Sequence, residues 1–165
     1  MKWYFVPIVA VLSYVLSTTI FQVLRIHNTL FHTGIILTVI LTILTGIRNG
    51  LIYSAIYALL IDLFVSKFLG LNLLLLPSVA LAVHFVSVHL YNNSITMPAL
   101  MFVLGTVAYH AAYYIIMFLF RSALPIASVF DKFLIEVVYN LVVGYLIYFL
   151  LFRFVKGFRL GDNNV

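Results

Sequence analysis

The sequence predicts an all-α fold, a polytopic membrane bundle of about six transmembrane helices. Hydrophobic residues make up 65% of the 165 residues and charged residues only 8%, with a mean hydropathy of +1.23. A soluble domain of this size would need roughly a quarter of its residues charged. The apolar residues also fall into six runs, each close to the roughly 20 residues that a spanning helix needs. Soluble enzyme folds are therefore excluded.

Short polar interruptions separate these runs. In chain order they are Arg25 to Asn28, Arg48 to Gly50, Gly70, Tyr91 to Ser94, Arg121 and Arg153. We therefore place the spans at 3–24, 30–47, 51–69, 72–90, 97–120 and 133–152, with a short basic C-terminal tail over 153–165. The runs are apolar on every side, whereas the strands of a membrane barrel alternate apolar and polar residues. The loops are too short to fold alone, so we expect 1–165 to form a single integral membrane domain.

The first run and the basic residues bear on topology and on partners. The run over 3–24 exceeds the apolar core of a typical signal peptide and no small-residue cleavage site follows it, so we expect an uncleaved span. Arg153, Lys156 and Arg159 directly follow the last span, which favours cytoplasmic termini anchored near anionic lipid headgroups. The nine Lys and Arg are spread singly along the chain, so the net charge of +5 does not indicate nucleic-acid binding.

Two carboxylates, Asp62 and Glu136, interrupt the apolar runs. An ionised carboxylate near the centre of a bilayer costs about 2.5–3.5 kcal/mol, so each needs a partner. With alternating spans, both lie toward the same face of the membrane, the outer face if the termini are cytoplasmic. We expect a polar cluster there, for partner binding or for structure, formed by Gln22, His32, Asp62, Lys67, Asn72, Glu136 and Asn140.

Two roles for these carboxylates remain open at this point. They are either buried struts that pair with Lys67, Lys132 or backbone donors, or groups that relay protons or capture a ligand. Glu136 is also expected in the first turn of span six, where the helix dipole favours a negative charge.

Small residues at four-residue spacing predict how the helices pack, because such residues share one helix face. Ser54 and Ala58 precede Asp62 on span three, and Gly144 follows Asn140 on span six. The predicted helix-packing face comprises Ser54, Ala58, Gly105, Ala108, Ala112 and Gly144. We expect spans three, five and six to meet through it.

No pattern in the sequence indicates catalysis, a metal or a cofactor. His84 and His89 are five residues apart and so do not share a helix face, and His110 lies alone in the middle of a span. No nucleophile–base pair and no phosphate-binding glycine loop is found. The absence of cysteine excludes disulfides and thiol nucleophiles. We therefore expect no catalytic residue, no metal site and no cofactor.

The middle of the chain contains Gly50, Leu59 and Asp62, followed by Gly70-Leu71-Asn72. In this pattern it resembles the rod-shape-determining protein family MreD. Members of that family show a glycine-rich span of the type G-x3-G-x3-G-L-x2-D, followed by a loop with Gly-Leu and often Asn. The residues that match are Gly50, Leu59, Asp62, Gly70, Leu71 and Asn72, and the stretches over 108–114 and 136–140 resemble the fifth and last spans of the family. The resemblance covers about 22–165. It departs from the family at Ser54 and Ala58, which replace glycines, and at Phe31 and His32, where the family often has Pro.

The resemblance implies a non-enzymatic membrane scaffold of the bacterial cell-elongation machinery, located in the cytoplasmic membrane and supporting peptidoglycan synthesis and cell shape. Its expected partner is MreC, and through MreC the MreB filament, the glycosyltransferase RodA and a class B penicillin-binding protein. The family is also similar in layout to the substrate-binding subunits of energy-coupling-factor transporters, although a shared fold does not transfer function.

Two other functions are compatible with the sequence. A substrate-binding subunit of a vitamin-type transporter could place its ligand in the polar cluster. Such subunits often dock their coupling partner on an Ala-x3-Ala face of the first span, which corresponds here only to Ala10, Ser13 and Ser17. An enzyme acting on lipid would need an acid, a base and a metal close together, and the chain offers two separated carboxylates.

Overall fold

A computed structural model describes residues 3–19, 32–66, 69–89, 97–120 and 126–161, and the side chains of the last segment over 133–151. A short 3-10 turn, Trp3–Phe5, leads into the first helix. The α-helices are α1 (Val6–Thr18), α2 (Thr33–Thr45), α3 (Ile47–Phe64), α4 (Leu71–His89), α5 (Met97–Leu119) and α6 (Ile126–Gly161). Every regular element in these ranges is helical, which confirms the predicted all-α class.

The helices α3, α4, α5 and the Phe133–Leu151 part of α6 are long and apolar enough to cross a membrane. The protein is therefore a membrane-embedded helical bundle, as predicted. The helices α1 and α2 are apolar too, but each is described over only 13 residues.

The boundary between α2 and α3 was predicted wrongly. The chain breaks at Gly46, whose φ of 94° lies in the left-handed region that glycine adopts without strain. The expected interruption, Arg48 to Gly50, lies inside α3, and Asn49 and Gly50 are buried. The Asn49 amide donates to the carbonyl of Thr45 at 3.4 Å, near the end of α2. Asn49 was therefore mistaken for a loop residue, although its side chain provides a hydrogen-bond donor to a carbonyl at the end of α2.

Three other helix ends also differ from the predicted spans. Helix α3 ends at Phe64 instead of residue 69, and Gly70, with a φ of 88°, directly precedes α4. Helix α6 begins at Ile126 instead of residue 133 and continues to Gly161, so most of the predicted tail over 153–165 is helical. Glu136 is consequently about three turns inside α6. The expectation that it occupies the first turn, close to the positive end of the helix dipole, is wrong.

Helix α3 packs against α1, α2 and α4, while α5 packs against α6, and α2 and α4 connect the two groups. Among the described residues, α3 makes no comparable contact with α5 or α6. Spans five and six therefore meet as expected, but the expectation that span three joins them directly is wrong. The interior between the helices is filled by apolar side chains, of which the largest fully buried ones include Ile35, Ile36, Ile40, Tyr53, Leu75, Leu76, Met101 and Phe102.

Candidate functional site: a polar layer across the bundle

One set of polar side chains crosses the bundle from α3 to α6. We call it the polar layer and define it as His32, Asp62, Asn72, Thr106, Tyr109, His110, Glu136 and Asn140. The layer contains five of the seven residues that the sequence predicts for the polar cluster. The other two, Gln22 and Lys67, lie outside the described residues.

Asp62 joins the end of α3 to the beginning of α4. Its Oδ2 accepts from the backbone N–H of Leu73 at 2.8 Å, and its Oδ1 accepts from the backbone N–H of Asn72 at 3.2 Å. The side-chain amide of Asn72 donates to the same Oδ1 at 2.8 Å. The first backbone N–H groups of a helix have no partner within the helix, and its positive dipole end favours an anion. Asp62 therefore caps α4 from the neighbouring helix.

Asn72 extends this contact to α5. Its amide also donates to Ser66 Oγ at 2.8 Å, and its Oδ1 accepts from the Tyr109 hydroxyl at 2.6 Å. Asp62 is 3% exposed and Asn72 7% exposed. Because buried polar groups are stable only when they are hydrogen-bonded, this connected arrangement fixes the relative positions of α3, α4 and α5.

A second set of hydrogen bonds joins α2 to α5 and α6. The Oδ1 of Asn140 accepts from the backbone N–H of His32 at 2.8 Å, and its amide donates to Thr106 Oγ1 at 3.2 Å. His32 is the N-cap of α2, and its Nδ1 accepts from the backbone N–H of Ile35 at 3.3 Å. This cap needs an unprotonated Nδ1. Asn140 is fully buried, and its hydrogen bonds connect α6 to α2 and α5 inside the bundle.

His110 and Glu136 form a pair between α5 and α6. The Nε2 of His110 lies 3.1 Å from Oε2 of Glu136. Two aromatic rings contact His110: the ring centroid of Tyr109 is 5.6 Å away, and Phe133 lies edge-on at 5.2 Å. The ring centroid of Tyr109 is also 4.8 Å from that of His32. Tyr109 therefore lies between the two histidines and also contacts Asn72.

The sequence did not predict the partner of either predicted carboxylate in full. Asp62 uses backbone donors, which were among the expected partners, together with the side chain of Asn72. Glu136 contacts His110, which the sequence treated as isolated. The available signal was a histidine and a glutamate, each in an apolar run, on consecutive spans. Consecutive spans are commonly neighbours, and a buried carboxylate needs a partner.

The predicted packing residues are placed as follows. Ser54 and Ala58 are fully buried, and Gly105 and Gly144 are buried. A Cβ at Gly144 would come within 2.9 Å of the ring of Phe102, and one at Gly105 within 2.9 Å of Val39. Ala108 and Ala112 are half-buried. The small residues thus face protein, but those of α3 do so against α1, α2 and α4.

Hydroxyl pairs between α1 and α3 were not predicted. Tyr53 and Ser13 share a hydrogen bond of 2.9 Å, and the Tyr57 hydroxyl donates to Ser17 Oγ at 3.2 Å. The two tyrosine rings stack with centroids 5.6 Å apart. The signal in the sequence was the four-residue spacing of both pairs, which allows two parallel contacts between two helices. As a result, the buried face of α1 that contains Ala10, Ser13 and Ser17 is covered by the bundle itself.

An open apolar groove of about 300 Å³ lies between α5 and α6. It is lined by Met97, Ala99, Leu100, Val103 and Leu141. Its walls offer almost no polar atoms with which to orient a polar ligand. The groove suits an aliphatic or aromatic side chain from an apolar helix, or an acyl chain.

The chemistry available in the polar layer is limited. The carboxylate of Asp62 accepts three hydrogen bonds from the protein itself, two on Oδ1 and one on Oδ2. Within the described ranges, no three side chains of the His, Cys, Asp or Glu types converge as metal ligands would. The His110–Glu136 pair is a direct contact between two ionisable side chains of the layer.

Comparisons of the chain with protein-family models, with curated proteins and with solved structures find no match.

Proposed function

We propose that the protein is a non-enzymatic membrane scaffold of the bacterial cell-elongation complex, with MreC as its direct partner. The proposal includes a location in the bacterial cytoplasmic membrane, cytoplasmic termini, and indirect links to MreB, RodA and a class B penicillin-binding protein. The proposal follows from the resemblance to the MreD family. In it, the protein supports peptidoglycan synthesis and cell shape only by binding its partners.

One structural observation gives the proposal its main support. Four of the residues that carry the resemblance position α3 against its neighbours. Gly50 lies against Thr42 of α2, Asp62 and Asn72 connect α3 to α4, and Gly70 forms the turn between them. A motif made of packing and capping residues suits a protein that presents a rigid surface, because it leaves no reactive group exposed.

The filled interior of the polar layer also favours a scaffold over a solute-binding subunit. Asp62, Asn72 and Asn140 are buried, and each is hydrogen-bonded to groups of other helices, which leaves them engaged with protein groups. The face of α1 that would dock a transporter coupling subunit is turned toward α3. The transporter function thus has less support from the geometry than the scaffold function.

The α5–α6 groove is the surface on which we place the transmembrane helix of MreC. Association of helices within a bilayer depends on close packing, because lipid is as apolar as the side chains. A groove that admits side chains from a second helix provides such packing, whereas a smooth helix surface does not. Leu100 is 49% exposed on its rim.

The test is to purify the tagged protein from its native membrane in mild detergent and to identify the co-purifying proteins by mass spectrometry. We expect MreC together with the elongation synthase. Leu100→Trp fills the groove and should reduce recovery of MreC. Leu81→Trp, at a 54% exposed position of α4, is the matched control and should leave recovery unchanged.

Two results would contradict the proposal. Recovery of a transporter coupling subunit with its ATPases, in place of MreC, would support the solute-binding function. Recovery of MreC that is equal for both tryptophan variants would retain the scaffold function but exclude the groove as its binding surface.

A further inference from the structure

Asp62 and Glu136, the two carboxylates within the apolar spans, have different surroundings. Asp62 accepts from two backbone N–H groups and one amide, and none of these donors can change its charge. Glu136 depends on His110, whose Nε2 lies 3.1 Å from its Oε2. The negative charge of Asp62 is therefore held by fixed dipoles, whereas the charge of Glu136 is balanced by a group that itself titrates.

The pair is incompletely satisfied in the described structure. Glu136 Oε1 is buried and has no hydrogen-bond partner among the described residues, and the same is true of the Tyr114 hydroxyl, one turn beyond His110. The Nε2 of His110 is close to Oε2 of Glu136 but falls outside hydrogen-bond geometry. The contact with His110 thus offsets part of the desolvation of this carboxylate.

A histidine ordinarily changes its charge between about pH 5 and pH 8. With an imidazolium at His110, the pair is electrically neutral and its two charges attract each other in a medium of low dielectric constant. With a neutral imidazole, the carboxylate of Glu136 is left as an unbalanced charge among apolar helices, which is costly. The side chains of His110 and Glu136 are 16% and 14% exposed.

We propose that His110 and Glu136 form a proton-binding site that strengthens the contact between α5 and α6 when it is occupied. One proton from water binds to the imidazole of His110, Glu136 stays a carboxylate, and release of the proton to water reverses the step. No other reactant is involved. The site does not depend on the proposed scaffold function.

The other titratable groups near the pair are engaged elsewhere, titrate at a different pH or lie far away. On α2, His32 uses its Nδ1 to cap the helix. On α3, Asp62 is held by its own donors. Tyrosines ordinarily titrate at much higher pH, and those near the pair are Tyr109, Tyr113 and Tyr114 on α5 and Tyr139 on α6. On α4, His84 and His89 lie in the last turns, far along the helix from Asn72. Asp131 and Lys132 precede Glu136, and their side chains lie outside the described residues.

A double-mutant cycle at two pH values tests the proposal. The full-length wild type, His110→Gln, Glu136→Gln and the double variant are unfolded by heat in the same detergent at about pH 6 and about pH 8.5, on either side of the range of histidine. We expect the coupling between positions 110 and 136 to raise the unfolding midpoint by about 2–4 °C at the lower pH, the size of one modest interaction in a chain of this length. At the higher pH the coupling should vanish.

The sign of the pH effect is specific. A proton bound more tightly by the folded protein stabilises it at low pH and ceases to do so as the pH rises. His89→Gln is the matched control, because His89 is exposed and contacts only the carbonyl of Phe85 at 2.7 Å among the described polar groups. It should leave the coupling unchanged. Equal coupling at both pH values would indicate an uncharged contact and would overturn the proposal, as would the absence of coupling at either.

A spectroscopic measurement decides the matter if a single variant fails to fold. Nitrogen NMR of histidine-labelled wild type and of the double variant identifies the imidazole of His110 as the signal that disappears. We expect this signal to pass from the protonated to the neutral form between the two pH values. A signal that stays neutral throughout would overturn the proposal.

Discussion

Asp62 stabilises the bundle through the cap that it provides to α4. Replacing Asp62 by Ala removes the carboxylate that accepts from the backbone N–H groups of Asn72 and Leu73, so these two donors lose their acceptor. We expect Asp62→Ala to lower the free energy of unfolding by about 1–3 kcal/mol, the range for a buried donor left unpaired. Asp62→Asn keeps one acceptor oxygen and should cost less. Thermal unfolding of the purified variants in detergent measures both effects.

Ser78 offers a control for this prediction. It is exposed on α4, and its hydroxyl donates to the Leu74 carbonyl of its own helix. Ser78→Ala should leave the unfolding midpoint unchanged. Equal midpoints for wild type and Asp62→Ala would exclude the capping role and, with unchanged MreC recovery, any role of Asp62 in the complex.

Residue by residue, the sequence predicted which polar groups are buried better than it predicted their partners. The cost of a carboxylate in an apolar span identified Asp62 and Glu136 as groups that need partners. The identity of a partner depends on the rotation and relative height of two helices, which the sequence of one helix does not contain. For this reason His110 was considered isolated, although it lies 3.1 Å from Glu136.

At the scale of the elements, Gly50 sets how closely α3 approaches α2. A Cβ at this position would overlap the side chain of Thr42 and come within 3.2 Å of its Cα. Rotation of Thr42 does not relieve the contact with the backbone, and it would break the hydrogen bond from Thr42 Oγ1 to the Thr38 carbonyl, 2.7 Å long. The two helices must therefore move apart to accept even a methyl group.

We expect Gly50→Ala to destabilise the protein. Alanine favours a helix over glycine by about 1 kcal/mol, but overpacking costs about 1–3 kcal/mol, so the overlap prevails. Ala111→Val, at an exposed position of α5, adds volume where no neighbour resists it and serves as the control. A stabilised Gly50→Ala would show that α2 and α3 adjust freely, contrary to the packing described above.

The elements themselves were predicted from apolar runs, whereas their neighbours were not. Stripes of small residues indicate that a helix face is covered by protein, and Ser54 and Ala58 are indeed buried. They do not specify the covering helix, and the choice of α5 and α6 was wrong. Similarly, Gly46 ends α2, but no charged residue precedes it there. Because charge was used to locate the interruptions, the boundary was placed at Arg48 to Gly50 instead.

At the scale of the whole molecule, the polar layer is the common point of the helix contacts. Asn72 connects α3, α4 and α5, and Asn140 connects α2, α5 and α6. Helix α1 is attached through the hydroxyl pairs with α3. Composition alone predicted a bundle of this kind, but the two asparagines that connect it became apparent only once the helices were placed side by side.

The described lengths of α1 and α2 lead to a prediction about topology. A helix of 13 residues rises about 20 Å, less than the roughly 30 Å of a hydrocarbon core. The predicted six spans therefore require the chain over 20–31, which lies outside the described residues, to complete two crossings. We expect residue 28 to be on the outer side of the membrane and residues 92 and 163 to be on the cytoplasmic side.

The chain contains no cysteine, so single cysteines introduced as Asn28→Cys, Asn92→Cys and Asn163→Cys can be labelled without background. A maleimide that does not cross the inner membrane should label position 28 in intact cells, and positions 92 and 163 only after that membrane is opened. Labelling of all three positions only after opening would mean that α1 and α2 do not cross the membrane, which would leave four spans. The inverse pattern would retain six crossings with the opposite orientation, and would place the polar layer toward the cytoplasm.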